Sequence, residues 1–339
     1  MIGWRWLLFP FGFLYWCITI LRNSAFDLRL RKSTLIRDKS ICIGNLNVGG
    51  SGKSPMTLFL LKKLQAKHPI TVLSRGYGRS TKGHIHLNET HQASEVGDEP
   101  LMYYSHKSDR DEVHVSESRL EAILTFSAQP NRVLLLDDAF QHRQIRAGLN
   151  ILISDFSAPF FRDYILPIGK LREPRWGARR AQTVVFSKCP DIIDDKKRSN
   201  YEQWAKYYGL VPFFSRIIYS PLKTINHTLH TGIENVVLET GIANPIPLKK
   251  YLEKSFKVFS ISFTDHHDFK PSEIKEIHDK FDTFEPSKTI IITTEKDFMR
   301  LNSPVLKNEL LPYPWFVQPI ELEIENEAEF LKLIHKYVN

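Results

Sequence analysis

An α/β architecture, a mainly parallel sheet covered by helices, is what this 339-residue sequence predicts. Two observations carry the prediction. From Ser33 onward, short β-branched and leucine-rich runs alternate with helical stretches: Ile41 to Ile43, Ile70 to Leu73, Val113 to Val115, Val133 to Leu136, Leu149 to Ile153 and Thr183 to Phe186. The first of these runs leads into Asn47-Val48-Gly49-Gly50-Ser51-Gly52-Lys53-Ser54, a glycine-rich turn that opens a helix near Pro55 with Leu60, Leu61 and Leu64 on its apolar positions. Ligands of such sheets gather beyond the carboxyl ends of the strands, so the chemistry is sought in the loops that follow each run.

The glycine-rich turn has the layout of a phosphate-binding loop. Glycine lets successive backbone N–H groups face one point, and the following helix adds the positive end of its dipole. Lys53 is placed to reach the terminal phosphates and Ser54 to hold Mg²⁺. Asn47 stands where such loops usually begin with glycine. The expected fold is therefore a P-loop NTPase-like α/β/α sandwich. A buried apolar run ending in carboxylates is the second half of such a site, because Mg²⁺ takes hard oxygen ligands, and Val133 to Leu136 runs into Asp137-Asp138. Either aspartate suits the metal. Gln141 and His142 follow closely enough to line the same cleft.

Composition limits the rest. A hydrophobic fraction of 42% and a charged fraction of 25% describe a globular chain long enough for two cores. The net charge of +8 and pI near 9.2 imply an anionic partner: nucleic acid, an acidic lipid surface or a phosphorylated substrate. No nucleic-acid-binding module is recognised, and no obligate protein partner is inferred. Cys17, Cys42 and Cys189 are far apart and lack metal-ligand spacing, as in a chain from a reducing compartment.

Residues 1–21 are the most apolar stretch, uncharged from Trp6 to Leu21 and followed by Arg22, Arg29, Arg31, Lys32 and Arg37. About 20 apolar residues are needed to span a bilayer, so the run is marginal for crossing, and Pro10 weakens its first turns. Trp4, Trp6, Tyr15 and Trp16 suit an interfacial position, and the basic flank suits an anionic leaflet. A membrane-seated helix over 1–25 is expected, lying in the leaflet or crossing it.

Three further loops carry chemistry-bearing residues. Ser74-Arg75-Gly76-Tyr77-Gly78-Arg79 offers arginine forks to phosphate oxygens at a strand end. Val96-Gly97-Asp98-Glu99-Pro100 places two carboxylates at a helix start, where they serve either as caps or in catalysis. Leu166 to Pro174, with Arg172 and Glu173, opens a cationic run. Beyond Asp191 a polar helix gives way to extended residues at 213–219 and 228–231. A smaller α/β lobe then begins at Val236, with strands expected at 258–263, 289–293 and 316–320. It contains Asp265-His266-His267-Asp268, whose adjacent residues suit proton shuttling better than one metal ion. Thr293-Thr294-Glu295-Lys296-Asp297 lacks the asparagine of a guanine-reading element, which favours ATP. The expected divisions are 1–25, a kinase domain at 26–212, a linker at 213–231, a lobe at 232–322 and a terminal helix at 323–339.

The series NLNVGGSGKSP, SRGYGR, VGDEP, LLDDAFQHR, LPIGKLREP, FTDHHDF and TTEKD, in this order and over almost the whole chain, resembles the tetraacyldisaccharide 4′-kinase family. The resemblance implies a two-lobed kinase at the cytoplasmic face of the bacterial inner membrane. It would transfer the γ-phosphate of ATP, with Mg²⁺, to the 4′-hydroxyl of a lipid A disaccharide precursor. It further implies Asp98 as general base assisted by His266, Asp137 and Asp138 as the metal-proximal pair, and Arg172 and Glu173 at the active-site edge; Arg75, Gln141 and His142, read from their own loops, join these as candidate substrate contacts. Ala139 stands where the family usually has glycine. A P-loop kinase or GTPase for a soluble substrate, and a nucleotide-gated membrane adaptor, are the rival readings.

Overall fold

The computed structural model describes residues 7–36, 39–126, 129–225 and 232–338. The chain forms two compact units that are not contiguous in sequence: Met1–Arg75, His106–Ile218 and Leu322–Asn339 make the first, and Gly76–Ser105 with Tyr219–Glu321 the second. The divisions expected from the sequence differ at two places. Residues 76–105, expected inside the kinase domain, cluster with the second unit, and residues 213–219, expected in a linker, lie in a paired strand.

In the first unit the sheet order is Ile320–Ile324, Val211–Tyr219, Thr183–Ser187, Leu149–Asp155, Lys39–Gly44, Val133–Asp137, Ile70–Ser74, Glu112–Val115. Every neighbouring pair from Val211–Tyr219 to Glu112–Val115 is parallel. Covered on both faces, its central strands are continuous apolar runs, and Val133–Asp137 and Thr183–Ser187 are buried throughout. Lys39–Gly44 sits between a strand from later in the chain on each side, with Ile43 level with Asp137 and Gly44 with Leu152. That register sets the acidic pair beside the loop that leaves Gly44.

The second unit has a five-stranded sheet in the order Lys223–Thr224, Trp315–Gln318, Thr289–Thr294, Asn235–Thr240, Lys257–Ser262, parallel except for its first strand. A single strand expected over 316–320 is broken at Pro319, which has no N–H to give a ladder, and Ile320–Ile324 continues in the other sheet. The expected strand at 228–231 lies outside the described residues, as do Trp4, Trp6 and Arg37.

The N-terminal helix is Phe9–Asp27, with Pro10 in its first turn, where a missing N–H costs nothing. It extends past the apolar run because its polar end finds partners: Arg22 Nη2 donates to Gln141 O at 2.6 Å, and Arg143 Nη1 donates to Asn23 O at 3.0 Å. Its buried positions are Gly12, Thr19, Asn23 and Phe26, whereas Phe11, Phe13, Leu14, Ile18 and Leu21 are exposed. The helix thus turns small and polar residues inward and an apolar face outward, the reverse of an ordinary surface helix. No described helix is long and apolar enough to cross a membrane. The terminal helix, Glu327–Val338, buries Phe330, Ile334 and Val338, and Phe330 packs 6.1 Å from the ring of Phe59 and 5.1 Å from that of Phe213.

Candidate active site

The glycine-rich loop opens directly from the buried strand Lys39–Gly44 and ends at the helix Lys53–Leu64. Gly49 and Gly52 have φ of 105° and 93°, a region that costs little only for glycine. Val48, Gly49 and Gly50 are exposed, while Ser51 is buried, and three side chains fix the Gly50–Ser51 backbone and the Ser51 hydroxyl. Asn45 Nδ2 donates to Ser51 Oγ at 2.8 Å, Ser187 Oγ donates to Ser51 O at 2.6 Å, and Lys188 Nζ donates to Gly50 O. Lys188 is held in turn by Asp155, 3.0 Å away. Asn47, in the position of the usual first glycine, donates from Nδ2 to Asp163 Oδ2 at 2.7 Å, so its side chain ties the loop's start to the segment that precedes Leu166. A cavity of about 90 Å³ is bounded by Asn47 to Ser51, Asp155 and Lys170.

The two aspartates have different partners. Asp137, buried, accepts from Ser74 Oγ at 3.0 Å and from Thr57 Oγ1 at 3.5 Å. Asp138 faces cations: Arg172 donates to both of its oxygens at 3.1 to 3.3 Å, and Lys53 Nζ lies 3.9 Å from Oδ1. Burial alone would raise the Asp138 carboxyl, but Lys53 and Arg172 outweigh it and hold the group below the usual range. Buried Arg119 donates to the backbone oxygens of both aspartates, at 3.0 and 3.3 Å. Asp138 itself takes the left-handed conformation of this turn, φ 45°, so Ala139 is spared it and the missing glycine carries no strain. A serine hydroxyl at residue 54 and two carboxylates form a donor set of hard oxygens, the chemistry that suits Mg²⁺.

Of the residues expected at the substrate edge, Arg172 and Gln141 join this network, with Arg172 Nη1 donating to Gln141 Oε1 at 3.2 Å. Arg75 is exposed at the end of Ile70–Ser74. His142 has a buried Nε2 without a partner, and burial together with Arg119, Arg22 and Arg75 lowers its pKa to about 4. Glu173 corrects the expectation. It is 2% exposed and accepts from Arg180 at 2.7 Å on each oxygen, from Gln141 at 3.0 Å and from Asn23 at 2.8 Å. Its carboxylate is filled by the protein and braces the N-terminal helix.

The remaining expected residues lie in the second unit, beyond the carboxyl ends of its strands. Asp98 opens the helix Asp98–His106, and His266 sits in the loop after Lys257–Ser262 with φ 61°, its N–H donating to Gly241 O at 3.2 Å. Asp98 is 2% exposed. Its Oδ2 lies 3.0 Å from His266 Nδ1 and accepts from Arg300 Nη2 at 2.7 Å, and its Oδ1 accepts from Glu99 N at 2.9 Å. Burial would raise this carboxyl; the His266 hydrogen bond, then Lys296 and Arg300, outweigh burial and lower it. His266 Nε2 is 3.3 Å from Lys296 Nζ, and its Nδ1 lies 2.8 Å from Arg300 Nη2 as well as 3.0 Å from Asp98 Oδ2, so a cationic donor stands beside each ring nitrogen. The ring of Tyr77 packs against the imidazole, centroids 5.1 Å apart.

Lys296 and Arg300 are the functional candidates that sequence reasoning did not place in this cluster. They lie one turn apart on the helix Glu295–Leu301, Lys296 inside the stretch compared with a guanine-reading element and Arg300 just beyond it, and an i, i+4 cationic pair was the available signal. Behind them Asp297 and Glu239 are both buried, and burial, reinforced for Glu239 by its acidic neighbour, raises both carboxyls.

A profile of the family described as LpxK, tetraacyldisaccharide-1-P 4′-kinase, matches residues 4–339. A tetraacyldisaccharide 4′-kinase of Bacteroides thetaiotaomicron is 36% identical over 343 residues, covering 94% of this chain and 89% of the relative. One from Flavobacterium psychrophilum is 37% identical over 342 residues, 98% of this chain and 96% of its own. Among solved structures, LpxK from Aquifex aeolicus in complex with ATP is similar with a TM-score of 0.73 at 27% identity, covering 99% of both chains.

Proposed function

This chain belongs to the tetraacyldisaccharide-1-P 4′-kinase family, and from that premise we propose that it transfers the γ-phosphate of ATP to the 4′-hydroxyl of a tetraacyldisaccharide 1-phosphate, giving lipid IV-A. The observation that carries the reading is the pairing, in one chain, of a braced phosphate loop and a buried Asp98–His266 pair.

The first unit takes the donor. Amides of Gly49 to Ser54 and the Lys53 ammonium face the phosphates, and positioning and charge do most of the work in phosphoryl transfer. Ser54, Asp137 and Asp138 are the residues that would hold Mg²⁺, which when bound supplies positive charge to the β- and γ-phosphate oxygens. Arg172 and Lys53 keep Asp138 ionised in readiness.

The second unit takes the acceptor's proton. A sugar hydroxyl is weakly acidic, so it needs a base in contact as the bond to phosphorus forms. Asp98 keeps its charge below the usual carboxylate range, and its Oδ1 accepts only from Glu99 N, which leaves that oxygen a second lone pair. The proton therefore passes to Asp98 Oδ1, with His266 assisting from the Oδ2 side, as the family resemblance implies.

The outward apolar face of Phe9–Asp27, with Arg22, Arg29, Arg31 and Lys32 near its end, suits a helix lying in the inner leaflet of the bacterial inner membrane at its cytoplasmic face. Acyl chains of the acceptor then stay in lipid while its head group is phosphorylated. The test is transfer of label from γ-labelled ATP to the lipid disaccharide in mixed micelles, by the intact protein and by Lys53→Ala and His266→Ala. Labelled lipid from the intact protein and its loss in both variants is expected; unlabelled lipid from the intact protein overturns the reading.

A further inference from the structure

Asp98 and His266 are 168 residues apart in sequence, and what joins them is the helix Glu295–Leu301. Arg300 reaches three things with one guanidinium. Nη2 donates to Asp98 Oδ2 at 2.7 Å and lies 2.8 Å from His266 Nδ1, while Nη1 donates to His267 O at 2.8 Å. The fork therefore spans the carboxylate and the backbone of the loop that carries the imidazole. That loop needs bracing, because His266 holds a left-handed φ of 61° that a non-glycine residue adopts only under constraint. One turn earlier, Lys296 Nζ lies 3.3 Å from the other imidazole nitrogen and 4.0 Å from Asp98 Oδ2.

We propose that Arg300, with Lys296 beside it, positions the Asp98–His266 pair: Arg300 fixes the carboxylate and the His266 loop in one place, and Lys296 holds the far edge of the imidazole. Neither touches the reacting atoms in this role; both act through the pair. The inference rests on the reading that this pair receives the acceptor's proton.

A charge at Asp98 is felt by every ionic group around it. His266, Lys296 and Arg300 face it directly, and Glu99, Asp265 and Asp297 face those cations. Burial raises the Asp98 carboxyl and the three basic partners lower it, so removing Arg300 lets it rise. The acid limb of kcat then moves to higher pH.

The experiment is steady-state kinetics of full-length protein with γ-labelled ATP and the tetraacyldisaccharide 1-phosphate in mixed micelles, across pH, with thermal melting as a check on folding. Arg300→Ala is expected to lower kcat about fiftyfold, the scale of a misplaced catalytic group, with KM for ATP changed by less than about twofold. Its acid limb shifts upward. Arg300→Lys keeps the charge but cannot bridge Asp98 and His267 at once, so the limb returns toward the parent while kcat stays about tenfold low. Lys296→Met is expected to lower kcat about tenfold, less than Arg300→Ala, with KM for ATP unchanged. Should Arg300→Ala fail to fold, Arg300→Lys carries the test. Parent-like kcat and pH profile in the Arg300 variants, or a parent-like kcat in Lys296→Met, overturn the inference. If Asp98→Asn and His266→Ala also keep parent activity, the base reading has failed; if those two lose it, only the positioning role has.

Discussion

The phosphate loop and the Asp98–His266 cluster are built in opposite ways. The loop is eight consecutive residues whose geometry follows from glycine at two left-handed positions and from a helix start. The cluster is assembled from residues 98, 266, 296 and 300, and its order depends on hydrogen bonds between three segments. A contiguous site carries its instructions locally and tolerates change around it. An assembled site inherits the stability of every contact that brings its parts together, so distant substitutions in the second unit act on chemistry.

That difference can be broken or sharpened by four measurements. The largest effect belongs to Lys53→Ala, expected to lower kcat about a thousandfold because a charge on the moving phosphoryl group is lost; retained phosphorylation of lipid would remove the loop from the donor half. Next comes His266→Ala, with kcat reduced about a hundredfold and ATP affinity by titration calorimetry unchanged; a matching loss of ATP binding would show that the two sites are not separable. Third is pH. Burial lowers His142 in the first unit and His278 in the second to about 4, and Trp315 Nε1 donates to His278 Nε2 at 3.0 Å. In the unfolded chain these histidines bind protons at about their ordinary 6.5 while the folded chain still excludes them, so stability falls as pH drops from 6.5 toward 4 and then levels. His142→Gln and His278→Gln should each flatten that fall in the melting temperature. The smallest effect is at the N-terminal helix, where Phe13→Ser should weaken binding to anionic vesicles several-fold, about 1 kcal/mol or slightly more, and leave activity on a micelle-dispersed acceptor nearly intact.

What was legible in the sequence follows the same division. The strands that precede the loop and the aspartates were readable because fully buried parallel strands are continuous apolar runs, and each of the six expected in the first unit is present. Asp98 and His266 were named through the family resemblance, but Lys296 and Arg300 were not. Their importance lies in a contact across some two hundred residues, which no local spacing encodes. The same reason hid the allegiance of Gly76–Ser105, whose composition resembles its neighbours and whose packing does not. Glu173 differs in the opposite sense: the resemblance placed it at the active-site edge, and the four donors that fill its carboxylate come from residues 23, 141 and 180.

On the proposal that the outward apolar face of Phe9–Asp27 lies in lipid, that face also sets the units in which this enzyme's substrate should be counted. A protein seated in lipid by such a face searches a plane, and its encounter rate follows the acceptor's mole fraction in that plane. Adding inert detergent or phospholipid at constant molar acceptor dilutes the surface and slows turnover. Adding more mixed micelles of fixed composition raises the molarity without crowding the plane, and should leave the rate per bound enzyme where it was.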